Sequence, residues 1–414
     1  MSPASDPLLL ELSIAFSDRN AVSMAATLDK MCTESCSSSS RQEMLGTSNC
    51  ISTIMDFIKD ILGSFPTDST VIDDASSSSF SMTKTHAGMM NEQEQLIGKC
   101  YWVLLRLCRR DISKSTTNLE NIQLVENYPQ SFEIIMNMSR LLIGYSEIAY
   151  PTCWLIMVFA SDSAERQFRL TSANATSIIV NVISLHKEDG PLAEMACRAA
   201  RNIAAGDADI VAKFVEDKIC DSLVSVLYVQ LQQISDLKVA VEDNISEKDT
   251  FLENAQLKTA ESSAISNGEI SMEESICEAA LWAIVNLSCE ETVSTIFGTA
   301  GAIEAVVDVA AMCKSSGVAQ AAVSVIRNLS CTGTLNYSLF AKTKVCEVLL
   351  SLLTRNSSDL EVIETGLWAL TNLACDNVLS NRLGSLGVAK IVLDLYYRWV
   401  ACILCIELCA AFIS

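Results

Sequence analysis

The chain has 414 residues, of which 50% are hydrophobic, 6% aromatic and only 6 proline, and it carries a formal net charge of −21. That charge argues against nucleic acid and anionic membrane surfaces as partners, since both would repel it, and it makes a basic protein segment the natural complement. Long runs of Ala, Leu, Ile, Val and Ser with little Pro or Gly point to an all-α protein.

Residues 1–41 read as an N-terminal cap. Two short amphipathic patterns, around Leu8–Phe16 and Val22–Met31, precede a Ser-rich break. Asp6 stands where a secretory signal would need basic residues. From residue 42 a repeat array begins. EMLGTSNCISTIMDFI (43–58) can be laid over STIFGTAGAIEAVVDVA (294–310), with Gly46 on Gly298, Thr47 on Thr299 and Ile51 on Ile303. Both read as a short helix ending in a Gly-containing turn, then a longer apolar helix. Residues 66–93, rich in Ser and acids, are expected to be a disordered loop.

The register of the array comes from two later stretches, EAALWAIVNLSCE (278–290) and ETGLWALTNLACD (364–376). Each reads acid, Trp, Asn, acid at steps of four: Glu278, Trp282, Asn286, Glu290, and then Glu364, Trp368, Asn372, Asp376. Four residues turn about 400° on an α-helix, so these side chains share one slowly drifting stripe, while nearly everything between them is apolar. Such a helix exposes one polar and aromatic strip and buries the rest, as the inner helix of a stacked repeat does. Taking Asn as register, the equivalent positions are Arg106, Val158, Asn202, Asn286, Asn328 and Asn372, at steps of 52, 44, 84, 42 and 44. Apolar second helices precede the strips, at Phe132–Ile143, Ser177–Leu185, Cys220–Leu231, Ile303–Met312, Val345–Leu353 and Val388–Tyr396.

The 84-residue step reads as one repeat carrying an insertion, residues 234–272. Between 232 and 274 lie ten acids against three Lys, a net of −7, which predicts a solvated, mobile surface segment. After Asn372 a first and second helix follow (Ser380–Trp399), but the next strip Asn would fall at the chain end, so 398–414 is expected to be an apolar tail on a truncated repeat. No uncharged apolar run reaches the ~18–20 residues of a membrane span.

A repeat of 42–44 residues with a WxxxN strip on its third helix resembles the armadillo family, and the strips WAIVNLSCE and WALTNLACD most resemble importin-α, the adaptor for nuclear-localisation peptides. The resemblance implies a right-handed α-solenoid of three-helix repeats. It also implies a concave groove in which Asn amides clamp an extended peptide backbone and Trp faces take Lys and Arg stems. The groove residues carried over are Glu278, Trp282, Asn286, Glu290, Asn328, Glu364, Trp368, Asn372 and Asp376, with Trp102, Trp154 and Asn202 as weaker candidates. An amide offers both donor and acceptor, a ring face attracts a cation, and the nearby acids would pair with its tip. The pattern also departs from the family. Arg106 and Val158 replace Asn, and Arg198 and Ser324 replace Trp. Residues 1–40 hold Asp6, Glu11, Asp18, Asp29 and Glu34 against Arg19 and Lys30, which argues against an importin-β-type partner.

The residues themselves leave alternatives open. Trp282 and Trp368 could fill the seam between repeats, and a helix Asn could bond a neighbouring repeat and hold the stacking. Three functions follow: a non-catalytic scaffold or adaptor holding an extended partner segment, an importin-α-like import adaptor, or a structural or cytoskeletal protein that binds by its outer surface. The 17 cysteines are odd in number and unpatterned, which reads as reduced thiols in the cytoplasm or nucleus. Cys402-x-x-Cys405 is the one CxxC and lacks a second pair or a His partner, and the only histidines are His86 and His186. No phosphate loop or nucleophile–base pair occurs, so neither metal, cofactor nor enzymatic activity is expected.

Overall fold

The computed structural model describes residues 7–18, 20–35, 50–65, 90–108, 119–205, 207–249, 271–331 and 333–398, and among them all regular structure is helical. They fall into two compact units, Met1–His186 with Asp207–Asp217, and Lys187–Gly206 with Lys218–Ser414, where the sequence suggested a single array over 42–397.

The first unit contains α1 (Pro7–Ser17), α2 (Ala21–Ser35), α3 (Cys50–Ser64), α4 (Glu92–Cys108), α5 (Leu119–Asn127), α6 (Ser131–Leu142), α7 (Ser146–Ala160), α8 (Ala164–Ser172) and α9 (Ala175–His186). The second contains α10 (Gly190–Ile203); α11 (Ala208–Glu216) belongs to the first unit. The second unit continues with α12 (Ile219–Asp249), α13 (Met272–Leu287), α14 (Glu291–Thr299), α15 (Ala302–Met312), α16 (Ser316–Ser330), α17 (Gly333–Phe340), α18 (Val345–Arg355), α19 (Leu360–Leu373), α20 (Asn377–Ser385) and α21 (388–398).

The helices recur in threes: a short first helix, an apolar second and a third that carries the strip. In the first unit the third helices α4 and α7 pack side by side, and α2 packs on α4 as a further member of that row, tied by an ion pair between Asp29 and Lys99. In the second unit α10, α13, α16 and α19 pack in succession. The driving force is burial. Helix α16 alone buries Val318, Val323, Val325, Ile326 and Leu329, and full burial stabilises by ~1.5–3 kcal/mol for each large aliphatic side chain.

Local chemistry delimits the helices. Asp189, Asp207, Ser271, Asp359 and Asp376 each accept backbone N–H groups at a helix start. The turn from first to second helix recurs with one residue at positive φ: Gln130 (57°), Asn174 (65°), Lys218 (68°), Gly301 (92°) and Gly387 (71°). That left-handed residue reverses the chain where a helix ends.

The structure corrects several sequence expectations. The acidic insertion 234–272 is helical up to Asp249, because α12 runs on from the apolar second helix and still buries Ile234; 250–270 lie outside the described residues. Of the expected loop 66–93, Glu92 and Gln93 open α4, and 66–89 lie outside the description. The expected Gly-containing turn is present and is made by Gly301, while Gly298 sits inside α14, where the buried Asn336 amide lies against it. The Ser-rich break (36–40), the first-repeat Gly46 and the apolar tail (399–414) also fall outside the described residues. Among those described, no single helix is long and apolar enough to cross a membrane.

Candidate functional site

In the second unit the strip asparagines form a ladder. Asn286 donates its Nδ2–H to the Arg201 carbonyl at 2.9 Å, Asn328 to the Val285 carbonyl at 3.1 Å, and Asn372 to the Arg327 carbonyl at 3.2 Å. Arg201, Val285 and Arg327 each immediately precede a strip Asn, so every rung joins the same two positions of successive third helices. The carbonyls belong to the last turn of a helix, where no intrahelical N–H remains to bond them, and each Asn therefore caps the helix before it. A carbonyl can only accept, so the amide orientation is unambiguous and its Oδ1 is turned away from this bond. Asn328 also donates to Ser288 Oγ at 3.3 Å. Asn202, the first member of the register, is half-buried and has a partner of its own.

The two tryptophans of the strip differ. Trp368 on α19 is 57% exposed. Glu364, one turn earlier, is exposed as well. Trp282 on α13 is half-buried, and the Arg201 guanidinium lies over it, 4.9 Å from the ring centroid. Burial and the like charge of Arg198 hold the Arg201 guanidinium below its ordinary range, against the favourable pull of Glu278. Arg198, standing where a Trp was due, is paired with Glu194 at 2.7 Å. The ring face that the resemblance assigns to a ligand cation is thus filled from within the chain.

The acids of the strip also part company. Asp376 is the N-cap of α20, accepting from Val378 N at 2.9 Å and Leu379 N at 3.0 Å, so its carboxylate is committed to the fold. The Glu278 carboxylate lies against Gly317 in the first turn of α16. Glu290 is exposed at the N-cap position of α14 and makes no side-chain cap bond. Beside these, Glu274 accepts from Lys314 N at 2.9 Å and Ser315 N at 3.1 Å, capping α16 from a neighbouring helix.

In the first unit, Trp102 on α4 stacks on Tyr150 of α7 at 5.9 Å, and Trp154 meets both edge-on at 6.3 and 5.9 Å. Arg106 lies over Trp102 at 5.9 Å. These rings pack on one another between neighbouring third helices, and the first unit shows no Asn rung at Arg106 or Val158.

Pattern reading missed Arg201, Arg327, Glu274 and Tyr150. Arg201 and Arg327 do carry a signal, since both stand one residue before a strip Asn. Which of them meets an aromatic ring depends on the neighbouring helix and is invisible along one strand of sequence. His186, one of the two histidines, pairs its Nε2 with the Ile143 carbonyl at 2.7 Å and so serves the packing. The buried thiols are poor nucleophiles: burial pushes Cys197 up to about 12, with Glu194 adding to the shift. Among the described residues, no three His, Cys, Asp or Glu side chains are grouped to hold a metal.

No family model matches the sequence, and no curated protein matches it. Solved structures do resemble it. A chain from a structure of the cadherin–β-catenin interaction and its phosphorylation switch is similar over 93% of this chain and 55% of its own length, with a TM-score of 0.59 and 11% identity. A designed armadillo repeat protein in complex with a (KR)4 peptide is similar over 68% of this chain and 94% of its own, with a TM-score of 0.48 and 18% identity. The three-helix repeats and the first of these likenesses define the class: an armadillo-type fold, an all-α solenoid.

Proposed function

We propose that this chain is a non-catalytic protein-binding scaffold or adaptor that holds an extended partner segment along the third helices α10, α13, α16 and α19. One observation carries the reading. At Asn286, Asn328 and Asn372 the amide nitrogen is tied to the helix before, and among the described residues the amide oxygen has no protein partner. A row of acceptors oriented in advance suits the N–H groups of an extended chain, because little side-chain freedom remains to be lost on binding.

Trp368 and Glu364 are exposed one turn apart and offer a ring face and a carboxylate to a Lys or Arg of that segment. The net charge of −21 draws basic segments toward the surface. A nuclear-import adaptor is the narrower form of this reading. Trp368 and Glu364 favour it, while Arg201 on Trp282 and the capping role of Asp376 withdraw two residues such an adaptor would use. A cytoplasmic or nuclear setting rests on the sequence alone, whose 17 cysteines are odd in number and unpatterned.

Calorimetric titration of the full chain with an extended Lys/Arg-rich peptide at two salt concentrations tests the reading. The expected result is a salt-sensitive affinity near micromolar, about −8 kcal/mol, weakened about tenfold in Trp368→Ala. Absence of binding by a folded, helical sample would overturn it.

A further inference from the structure

The strip tryptophans occupy the same register on α13 and α19, and each follows a third helix with an Arg one residue before its strip Asn: Arg201 ahead of Trp282, and Arg327 ahead of Trp368. Only the first pair is made. Both arginines are exposed, but Arg201 lies 4.9 Å from the centroid of the half-buried Trp282 ring, whereas the Trp368 ring is 57% exposed with no cation over it among the described residues. The surroundings explain the difference. Glu278 attracts Arg201 on the Trp282 side, and the Glu194–Arg198 pair flanks it on α10, braced by Ser275, whose Oγ donates to Glu194 at 2.9 Å. Ahead of Trp368 the acid Glu364 stands where Glu278 does, but Gln320 and Ser324 hold the places of Glu194 and Arg198 on α16, so no charged pair flanks Arg327.

We propose that Arg201 is an internal ligand of the Trp282 subsite, so that a basic partner segment is read first at Trp368 and reaches Trp282 only by displacing Arg201. This rests on the groove reading above and adds the order and selectivity of its subsites. The cation of the chain and the cation of the partner compete for one ring face and one carboxylate, Glu278. Segments with a single cation therefore bind at Trp368, and a second cation adds less than a vacant Trp282 would allow. Arg201 is thus a specificity-determining residue whose effect is a penalty on the second subsite.

The test uses the full chain, its tryptophan indole N–H resonances, and octa-arginine blocked at both ends as the probe. The substitution Arg201→Gln alone is expected to move the Trp282 resonance and leave that of Trp368 in place. In the unaltered chain, the peptide is expected to shift Trp368 at lower concentrations than Trp282. In Arg201→Gln both should shift together, with a three- to tenfold gain in affinity, and Arg201→Lys should restore the original order. The gain cannot come from loss of fold, because the Asn286 rung uses the main-chain carbonyl of residue 201 and survives the change. Equal shifts at both rings in the unaltered chain, with no tighter binding by Arg201→Gln, would overturn the inference and leave the groove reading standing. A peptide that moves neither ring in any variant would overturn the groove reading instead. A Trp282 resonance indifferent to Arg201→Gln would remove the internal contact whatever the peptide does.

Discussion

Asn328 reaches from α16 to the Val285 carbonyl on α13, 3.1 Å away, and to Ser288 Oγ at 3.3 Å. One side chain thereby closes the end of one third helix and sets its spacing from the next. Asn328→Ala removes two donors from a half-buried site and is expected to cost about 1–2 kcal/mol, against about 0.5–1 for Asn372→Ala, which loses one bond at a more exposed place. Asn328→Asp should be worse than Ala at neutral pH, because a carboxylate turned to a carbonyl cannot donate, and should recover toward acid pH as it protonates. Urea unfolding of the three variants checks the order.

Gly298 and Gly384 make a matched pair. A methyl group at Gly298 would strike the amide of Asn336, which is buried and held by the Leu329 carbonyl at 2.9 Å and the Ser294 carbonyl at 3.3 Å. Gly298→Ala is expected to cost about 1–3 kcal/mol as overpacking that no flexible end can relieve. Gly384 lies in α20 with open space where the methyl would go, so Gly384→Ala should stabilise by up to about 1 kcal/mol through helix propensity. Thermal melts with opposite shifts are the expected result.

The first-to-second-helix turns yield a third pair. Lys218 holds φ 68°, a left-handed conformation that a residue with a Cβ adopts at a cost, and Lys218→Gly should stabilise by about 0.5–1 kcal/mol after its extra unfolded-state entropy is counted. Gly301 holds φ 92° with Tyr228 Oη 3.3 Å from where a Cβ would stand, so Gly301→Ala should destabilise by about 1–2 kcal/mol. Denaturant midpoints of the two variants decide this.

Asp217 ends α11, where the helix dipole disfavours negative charge. Burial raises its carboxyl above the usual range, against the pull of Thr176 and Lys213 toward the charged form. The native state therefore binds this proton more tightly than the unfolded chain does. The contribution to stability is fully present below the unfolded value of about 3.9 and is lost as pH rises through the native one. Asp217→Asn is expected to raise the urea midpoint at pH 7, with the gain shrinking toward pH 3. A gain independent of pH would show that the charge is not its source.

Much of this was legible from the chain alone. The Glu–Trp–Asn–acid spacing placed α13 and α19, the 42- and 44-residue steps placed α16, and apolar runs located α6, α9, α12, α15 and α18, because helical periodicity is a local property. The acidic segment 234–272 is helical up to Asp249 where its composition predicts a solvated, mobile stretch, since composition says nothing of a helix propagating from a buried first half. The Gly-containing turn before α15 was legible, but that Gly298 admits the Asn336 amide was not.

The sequence by itself determined the repeat, its period and the identity of the residues on the exposed strip. Only the tertiary structure decided what those residues do. Trp282 and Trp368 stand in the same local motif, yet one ring carries Arg201 and the other is open. Glu290 and Asp376 hold the same place in the pattern, yet only Asp376 caps a helix. For the tryptophans the difference lies in which side chain of the neighbouring third helix arrives opposite each ring, a contact between distant parts of the chain and beyond the reach of any pattern read along one helix.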